Sequence, residues 1–409
     1  MNIKTQLIKQ LDFVYNVALE QTIFDQIAIL GIGKKIQQMR DNKHANDQLI
    51  INNQLIEAWL SEYTNESHKR IARILLTNQL DHFTQQRPTY GAINVEPLLL
   101  GIAARLIKQL MVFNDIIGIQ PMTRPVDSVY QMRCTPGSAE TNSAGESTKQ
   151  RVLELTVHPI ESHLQKLHTV CTAEAVQTSL STREQESEII QIISNEIMTE
   201  ITYDIISDLM ILANKNPVTL ALNEDNCPTA SMLRFGLAAR WIASTTNRGV
   251  GNVIITSDVG AALLQLMVAR TCSKFVSVQQ VDTTSQHAIL HVGDIMTRDN
   301  RNIYSVYVTT APVLDDKEPN IFTYLVGYKG ISATDTGYIY SPHIPVVSST
   351  GIGITPDIVK PSMPFITRRS KWVSLLNKET ELESIEQINI VNSSDYYVSI
   401  RVDANDLCY

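Results

Sequence analysis

Between Ser181 and Asn214 the chain reads STREQESEIIQIISNEIMTEITYDIISDLMILAN, with no Gly or Pro to interrupt it. A stretch of this length and composition predicts a single long helix. Ser181 or Thr182 supplies the N-cap, Glu184, Glu186 and Glu188 set carboxylates near the helix-end N–H groups, and Pro217 closes the far end. The rod is about 45 Å long at its regular rise. Any body folded from this chain must be built around it.

Two side-chain rows run along the rod. Ile189, Ile193, Ile197, Ile201, Ile205 and Leu209 recur every four residues, so the apolar row drifts by about 40° per step and meets different partners along its length. Glu188, Glu196, Glu200, Asp204 and Asp208 form a parallel acidic row, in which like charges four apart destabilise an isolated helix by about 0.2–0.5 kcal/mol per pair. Either basic groups from neighbouring segments or subunits face this row, or it is a solvated face screened by salt. A di-metal carboxylate site would need Glu-x-x-His on such a helix, and the motif is absent from it.

The chain of 409 residues has room for about two or three cores, and 44% apolar with 19% charged residues is an ordinary globular composition. A net charge of −8 without a Lys/Arg block gives little electrostatic support for gripping nucleic acid or an anionic membrane. Cys134, Cys171, Cys227, Cys272 and Cys408 are scattered and show no C-x-x-C spacing, which predicts neither a disulfide framework nor a zinc site and fits a reducing cytoplasm. No apolar run reaches membrane-span length, and Asp12 and Glu20 interrupt the start where a signal peptide needs an apolar core.

Residues 1 to about 86 read as polar helices with thin apolar stripes (Leu7, Leu11, Val14, Ala18; Leu49, Leu55, Ile56, Leu60), ending in a helix over Ser67–Phe83. Gly31-Ile32-Gly33-Lys34-Lys35 lacks phosphate-loop spacing and reads as a helix break. Val95–Phe113 is an apolar helix with Pro97 in its first turn. A strand over Val126–Met132 and another over Arg151–Val157 flank the Gly/Ser-rich stretch Cys134–Gln150, read as a long mobile hairpin tip that is either a flexible connector or a reach onto a neighbour. Ser162–Ser179 reads as a short strand or turn and a helix leading into the rod. A helix over Leu233–Asn247, a buried strand over Asn252–Thr256 and a helix over Val259–Ala269 capped by Asp258 open an α/β or α+β module. It continues with strands over Lys274–Val281, Ala288–Val292 and Ile303–Thr309. Strands over Phe322–Tyr328, Gly337–Tyr340, Ile344–Val347 and Tyr396–Val402 complete the chain, with Pro356, Pro361 and Pro364 marking a loop-like path between them.

Catalytic signatures are missing. There is no hydrolase elbow, metalloprotease helix, dinucleotide fingerprint or kinase set. His158, His163, His287 and His291 lack ligand partners at helical spacing and read as structural histidines. Lys215, Asp225 and Cys227 share a loop without an activated-nucleophile pattern, and Arg368, Arg369 and Lys371 either pair with carboxylates such as the acidic row or are solvated.

Several segments, in order, resemble the major capsid proteins of T-even-type tailed phages, which have the Hong Kong 97-type fold. Gly118-Ile119-Gln120-Pro121-Met122 before Arg124-Pro125-Val126 carries the likeness furthest. Asn195 to Ile201 in the rod, Ala239-Arg240-Trp241, Arg248-Gly249-Val250-Gly251-Asn252, Val326-Gly327-Tyr328-Lys329-Gly330, Asp335-Thr336-Gly337 and Tyr340-Ser341-Pro342 agree with it, as does His68–Phe83.

The resemblance implies an α+β capsid fold with a helical N-terminal extension over 1–66, an N-terminal arm over 67–125 and an E-loop over 126–160. A peripheral domain over 161–238 would hold the spine helix 181–214, followed by an axial domain over 239–345 and a C-terminal return to the peripheral domain over 346–409. The implied function is a structural major capsid protein that forms hexamers and pentamers of an icosahedral shell around double-stranded DNA. It would bind no particular DNA sequence and no membrane, and would be assembled in the host bacterial cytoplasm with portal, scaffolding and decoration proteins as partners. The alternative is a vertex-type paralogue or an encapsulin-like compartment shell; the rival from another class is an enzyme using the 233–345 module, which would need a pocket of converging polar groups. Candidate inter-subunit contacts are Ser138, Glu140, Gly145, Glu146, Glu196, Glu200, Asp204, Arg368 and Arg369, with no catalytic residue, cofactor or metal expected. The family's members are trimmed after an apolar-x-Glu sequence; Asn94-Val95-Glu96-Pro97 matches this poorly, and Leu55-Ile56-Glu57-Ala58 matches better but lies upstream.

Overall fold

In this computed structural model the described residues are 56–85, 89–90, 93–94, 96–141, 147–172, 183–213, 228–271, 274–277, 288–296, 303–311, 314, 321–348, 362–375, 378–381 and 394–403. The stripes up to and including Leu55, Gly31 to Lys35, Gly145, Glu146, Ser181, Thr182, Lys215, Pro217, Asp225, Cys227, His287, Pro356 and Pro361 lie outside them. The chain runs α1 (Glu66–Gln85), β1 (Thr89–Tyr90), β2 (Ile93–Asn94), α2 (Glu96–Phe113), β3 (Gly118–Ile119), β4 (Val126–Thr141), β5 (Ser147–Glu161) and β6 (His163–Thr172). Then follow α3 (Arg183–Leu212), α4 (Pro228–Thr246), β7 (Val253–Thr256), α5 (Asp258–Arg270), β8 (Lys274–Ser277), β9 (Ile289–Met296) and β10 (Ile303–Thr309). The last strands are β11 (Ile321–Gly327), β12 (Tyr338–Ser348), β13 (Ser362–Leu375), β14 (Lys378–Glu381) and β15 (Tyr397–Asp403).

The predicted rod is α3. Its row from Ile193 through Ile197, Ile201 and Ile205 to Leu209 is buried in the main core, and Ser394 N–H donates to the Leu212 carbonyl at 2.9 Å, satisfying one of the acceptors a helix end leaves open. It lies against α2, which is apolar nearly all round and correspondingly buried, with Leu98, Leu99, Ile102, Leu106 and Ile107 all in the core. Gln109 Nε2 crosses to Asn195 Oδ1 at 3.0 Å.

Two larger sheets flank these helices, giving an α+β architecture. The first has strand order β15-β11-β7-β10-β9-β8, with β7 and β10 parallel; α4 and α5 cover it through Phe235, Ile242, Leu264 and Met267 against Ile254, Val306, Tyr324 and Val326. The second has the order β14-β13-β12-β3, with β6 also paired to β13. Sheet membership cuts across the expected domain bounds: β12, most of which falls in the segment 239–345, belongs to the second sheet, while the last strand, β15, expected to return with 346–409 to the peripheral domain, pairs antiparallel with β11 in the first.

Helix α1 is tied to this second sheet by two amides that imitate a strand. Gln79 Nε2 donates to the Val346 carbonyl at 2.9 Å and its Oε1 accepts from Val346 N–H at 3.3 Å; Asn78 Nδ2 bridges the carbonyls of Met122 and His343 at 2.7 and 2.8 Å. The helical residues 56–60 place Ile56, Trp59 and Leu60 in the same core, so the helices expected to lie on a larger body are part of its interior from residue 56 onward.

Several sequence expectations change. The stretch Cys134–Gln150 is mostly a continuation of β4 and β5, which pair from Val126↔Glu161 to Thr141↔Ser147, because backbone pairing proceeds through small polar residues as readily as through apolar ones. Residues 163–172, expected as a short strand or turn leading into a helix, form the ten-residue strand β6. The cap of α5 is Ser257, whose hydroxyl accepts from Gly260 N–H at 3.3 Å, rather than Asp258. The strands expected at 337–340 and 344–347 are one strand, β12, with irregular register at Pro342 and Ile344. Most consequential, Pro364 lies inside the fourteen-residue strand β13, at the position where its pairing with β6 shifts register.

Candidate functional site

Two members of the acidic row on α3, Asp204 and Asp208, are answered from within the chain. Asp204 and Asp208 sit four residues apart on the helix, about 6 Å along its axis, while Arg369 and Lys371 sit two apart on β13, about 6.6 Å along the strand, and so on one face of it. The two spacings nearly coincide. Arg369 Nη2 bonds Asp204 and also Gln165 of β6; Lys371 Nζ lies 2.6 Å from Asp204 Oδ2 and 2.8 Å from Asp208 Oδ2, which also accepts from the Tyr338 hydroxyl at 2.8 Å. The Arg369 side chain is 1% exposed, with its guanidinium carbon 5.5 Å from the centre of the Tyr340 ring, a cation–π arrangement. Its Nε and Nη1 find no acceptor among the described residues.

Charge balance separates the two carboxylates. Burial pushes Asp204 up, but Arg369 and Lys371 together outweigh it and hold the group below the ordinary aspartate value. Burial dominates at Asp208, helped by repulsion from Asp204, and leaves it above that value despite Lys371 and Tyr338.

A second cluster fixes the root of the β4–β5 hairpin. The segment 328–337 joins β11 to β12, and Arg248, just after α4, grips its Asp335 with a fork: Nε to Oδ1 at 2.9 Å and Nη2 to Oδ2 at 2.7 Å. Tyr328 Oη donates to Asp335 Oδ2 at 3.1 Å, and the Asn252 side chain holds both the N–H and the carbonyl of Lys329 at 3.0 and 2.8 Å. From the other side, Met132 N–H donates to the Thr334 carbonyl at 2.9 Å, Gln131 Nε2 to Thr336 at 3.1 Å and Gln120 Nε2 to Ala333 at 3.1 Å. Gly118 must be bare here, since a Cβ would lie 2.4 Å from the Ala333 oxygen. Burial pulls the Lys329 ammonium down to about 8 against the attraction of Asp335 and Asp115. The motifs Gly118–Met122, Arg248–Asn252 and Asp335–Gly337, scattered in sequence, thus meet at one junction.

The hairpin itself has two unlike faces. Val129, Gln131 and Ile160 are buried, with Val129 and Ile160 packing on Met122, Ile339 and Trp372. The opposite face pairs Tyr130 with Val157 and Met132 with Leu155, and its Val126, Tyr130, Leu155 and Val157 are 63%, 45%, 57% and 54% exposed. Leu164 on the adjoining β6 is exposed as well.

A third group links α1 to the second sheet. His82 of α1 and His343 of β12 are buried near Arg368 of β13; burial lowers both imidazoles below 6.5 and Arg368 lowers them further. Asp127 partly offsets this at His343, whose Nδ1 has no partner among the described residues, and Asp81 on α1 is itself pushed up by burial. Because the folded state binds these protons less readily than the unfolded chain, the stabilisation is complete above pH 6.5 and is lost as pH falls through that value. The denaturant midpoint should therefore drop between about pH 7 and pH 5, and His82→Gln should flatten that drop.

The expected contact residues are distributed unevenly. Asp204 and Arg369, expected either as contacts between copies or as a pairing of the basic cluster with the acidic row, are joined to each other inside one chain, because β13 is a strand that carries its basic residues to α3. Glu196 is exposed and Glu200 partly exposed on the outer side of α3, and Arg368 lies by the two histidines. Ser138 and Glu140 are on the far part of β4, Glu140 opposite Thr148. His158 stacks on Trp372 with ring centres 4.8 Å apart, and His291 bonds Asp294 at 3.1 Å; no group of three metal-ligating side chains occurs among the described residues. The Arg248–Asp335 fork and the exposed strip escaped the sequence reading. Alternation within β13, with Phe365, Thr367, Arg369, Lys371 and Val373 on one face, was the one local signal for that strand.

Side chains that lock elements together, beside an apolar strip left open, are the features of a subunit that works through contact. The family model described as Major capsid protein Gp23 matches residues 137–402, more than half of the chain, and the chain belongs to that family. It is a structural major capsid protein rather than an enzyme, and it self-assembles into the multimeric shell of a virion. No curated protein sequence matches it. Among solved structures, it is similar to the virus-like particle from Pyrococcus furiosus (7% identity, TM-score 0.34, 73% of this chain and 97% of that one). It is also similar to the holo-SrpI encapsulin complex from Synechococcus elongatus PCC 7942 (10%, 0.38, 74% and 90%) and to the capsid of Myoviridae Phage XM1 (10%, 0.34, 71% and 91%).

Proposed function

We propose that the chain forms hexameric and pentameric capsomers of an icosahedral, Hong Kong 97-type head around double-stranded DNA, with the β4–β5 hairpin laid over a neighbouring copy. The observation that carries this is the two-faced hairpin. Its strands of sixteen and fifteen residues extend about 50 Å, its root is packed on its own chain, and its other face exposes Val126, Tyr130, Leu155 and Val157. An exposed apolar strip of this kind is stabilised by a partner surface. In this reading α3 and the second sheet form the peripheral domain, and the first sheet with α4 and α5 forms the axial domain, to which β15 returns. Ser138, Glu140, the exposed Glu196 and the partly exposed Glu200 lie along contacts between copies. Portal, scaffolding and decoration proteins complete the head, assembled in the bacterial cytoplasm.

The same reading constrains processing. Glu96 is buried in the first turn of α2, and a cut there would remove Leu75, Leu76 and Phe83 of α1 from the core, whereas Glu57 is exposed, paired to Arg73 at 2.9 Å. Trimmed chains therefore retain α1.

The test is a double substitution, Tyr130→Asp with Val157→Asp, in the full-length chain. Two charges on the open strip should raise the concentration needed for assembly more than about tenfold in light scattering, while the unfolding midpoint of the unassembled chain stays put. Assembly at the wild-type threshold would reject the hairpin overlay.

A further inference from the structure

The turn between Lys329 and Thr336 presents one large apolar side chain that no described residue covers. Ile331 is 108% exposed. Isolated exposed aliphatics are common on protein surfaces, but they normally sit where a helix or strand passes the surface, and this one stands on a turn cross-braced at every step. Lys329 Nζ donates to the carbonyls of Gly330 and Ser332, both at 2.7 Å, so one ammonium clasps the peptide groups on either side of Ile331. Gly330 N–H donates to Asp335 at 2.8 Å, Asp335 N–H to Ser332 at 3.1 Å, and Lys329 and Thr336 form a β-bridge across the base. Ser332 Oγ lies 2.8 Å from Thr334 Oγ1 and accepts from Thr334 N–H at 3.2 Å.

The charges of the turn are turned inward. Lys329 is spent on the two carbonyls, and Asp335 on Arg248 and Tyr328, which leaves Ile331, Ser332 and Thr334 as an uncharged tip. Depletion of charge around a rigid apolar anchor is the pattern of an interface centre, where preorganisation spares the loss of conformational freedom on docking. Position supplies the partner. The carbonyls of Ala333 and Thr334 are bonded to Gln120 and Met132, and Gln120 also bonds Tyr130, so the turn lies along β4 next to Tyr130, a residue of the exposed strip.

We infer that Ile331 is an anchor by which one copy of this chain docks on the next, seated in an apolar recess of the adjacent copy. The inference rests on the shell-forming arrangement proposed above and adds to it a second contact point, held by Lys329, at the hairpin root. A second copy is the occupant because the strip it extends is the one proposed to meet an identical subunit in a self-assembling shell.

The experiment compares the full-length wild type with Ile331→Asp, Ile331→Ala and Ile331→Leu, reading the assembly threshold by light scattering and the unfolding midpoint of the unassembled chain. Ile331→Asp should raise the threshold about tenfold or more, Ile331→Ala should raise it less, and Ile331→Leu should restore it, all with an unchanged midpoint, since no described residue covers the side chain. A photocrosslinker placed at position 331, Ile331→p-benzoylphenylalanine, should join two copies in assembled material, and the crosslinked peptide should map to a different chain. Wild-type assembly with an unaltered threshold for Ile331→Asp, or crosslinks confined to one chain or to another protein, overturns the anchor and leaves the hairpin overlay standing. A wild-type chain that stays monomeric at every concentration and salt overturns both.

Discussion

Asp204→Ala should lower the free energy of unfolding by about 3–5 kcal/mol, the range for removing one member of a buried ion pair. The reason is what it leaves behind. Arg369 is 1% exposed and already lacks acceptors for two of its nitrogens among the described residues, so without Asp204 its charge keeps only Gln165 and the face of Tyr340. Lys371 retains Asp208 and is less affected. The double change Asp204→Leu with Arg369→Met removes both charges together and should recover most of the loss, because the desolvation penalty disappears with the attraction. Urea unfolding of the unassembled chain measures all three variants, and the cycle should show a coupling of more than about 1 kcal/mol. Additive losses would mean that the pair does not act as a unit. The pH signature is distinct from that of the histidines. Asp204 is held below 3.8, so its stabilisation is present above that value and lost as pH falls beneath it, while the raised Asp208 contributes with the opposite sign.

Asp335→Ala is the second large effect expected, about 3 kcal/mol, from the loss of a two-pronged charge-assisted bond in a mostly buried setting. Its consequence is local as well as global. Asp335 holds Arg248 and Tyr328 in the turn whose carbonyls anchor Gln120 and Met132, so releasing it should loosen the root of the hairpin before the rest of the fold. Hydrogen exchange at the Met132 amide, bonded to the Thr334 carbonyl, should speed up while amides in the middle of α3 remain protected. Arg248→Lys keeps the charge and loses the fork, and should show a smaller loss in the same direction. Unchanged exchange at Met132 in Asp335→Ala would show that the root is held by hairpin pairing alone.

Much of the architecture is legible from local pattern. Ser181 to Asn214 is one helix in sequence and in structure to within two residues at each end, because a continuous four-residue apolar row without Gly or Pro satisfies its backbone in only one regular way. Ile303–Thr309 is read as a strand with its boundaries correct, and the apolar run at Val95–Phe113 becomes the buried helix α2. The motifs that carry the family resemblance are also local; those from Asn195 to Pro342 fall within the residues the family model matches, while His68–Phe83 and Gly118–Val126 precede them.

Tertiary structure decided what the polar stretches do. In isolation TRRSKW leaves open whether its charges are solvated or paired with the acidic row, because a basic residue names no acid; Asp204 and Asp208 lie more than 150 residues earlier, and only the packing of β13 on α3 brings the charges together. Cys134–Gln150 reads as loop because its composition carries no alternation, yet antiparallel pairing extends the hairpin through Thr141 and Ser147 using backbone groups that every residue has. Gly118, Arg248 and Asp335 show no mutual relation along the chain and form one junction in space. Periodicity reports which face of an element is apolar; the partner of a charge, the register of a long hairpin and the site of a rigid exposed turn depend on contacts between distant segments, and these exist only once the chain has folded.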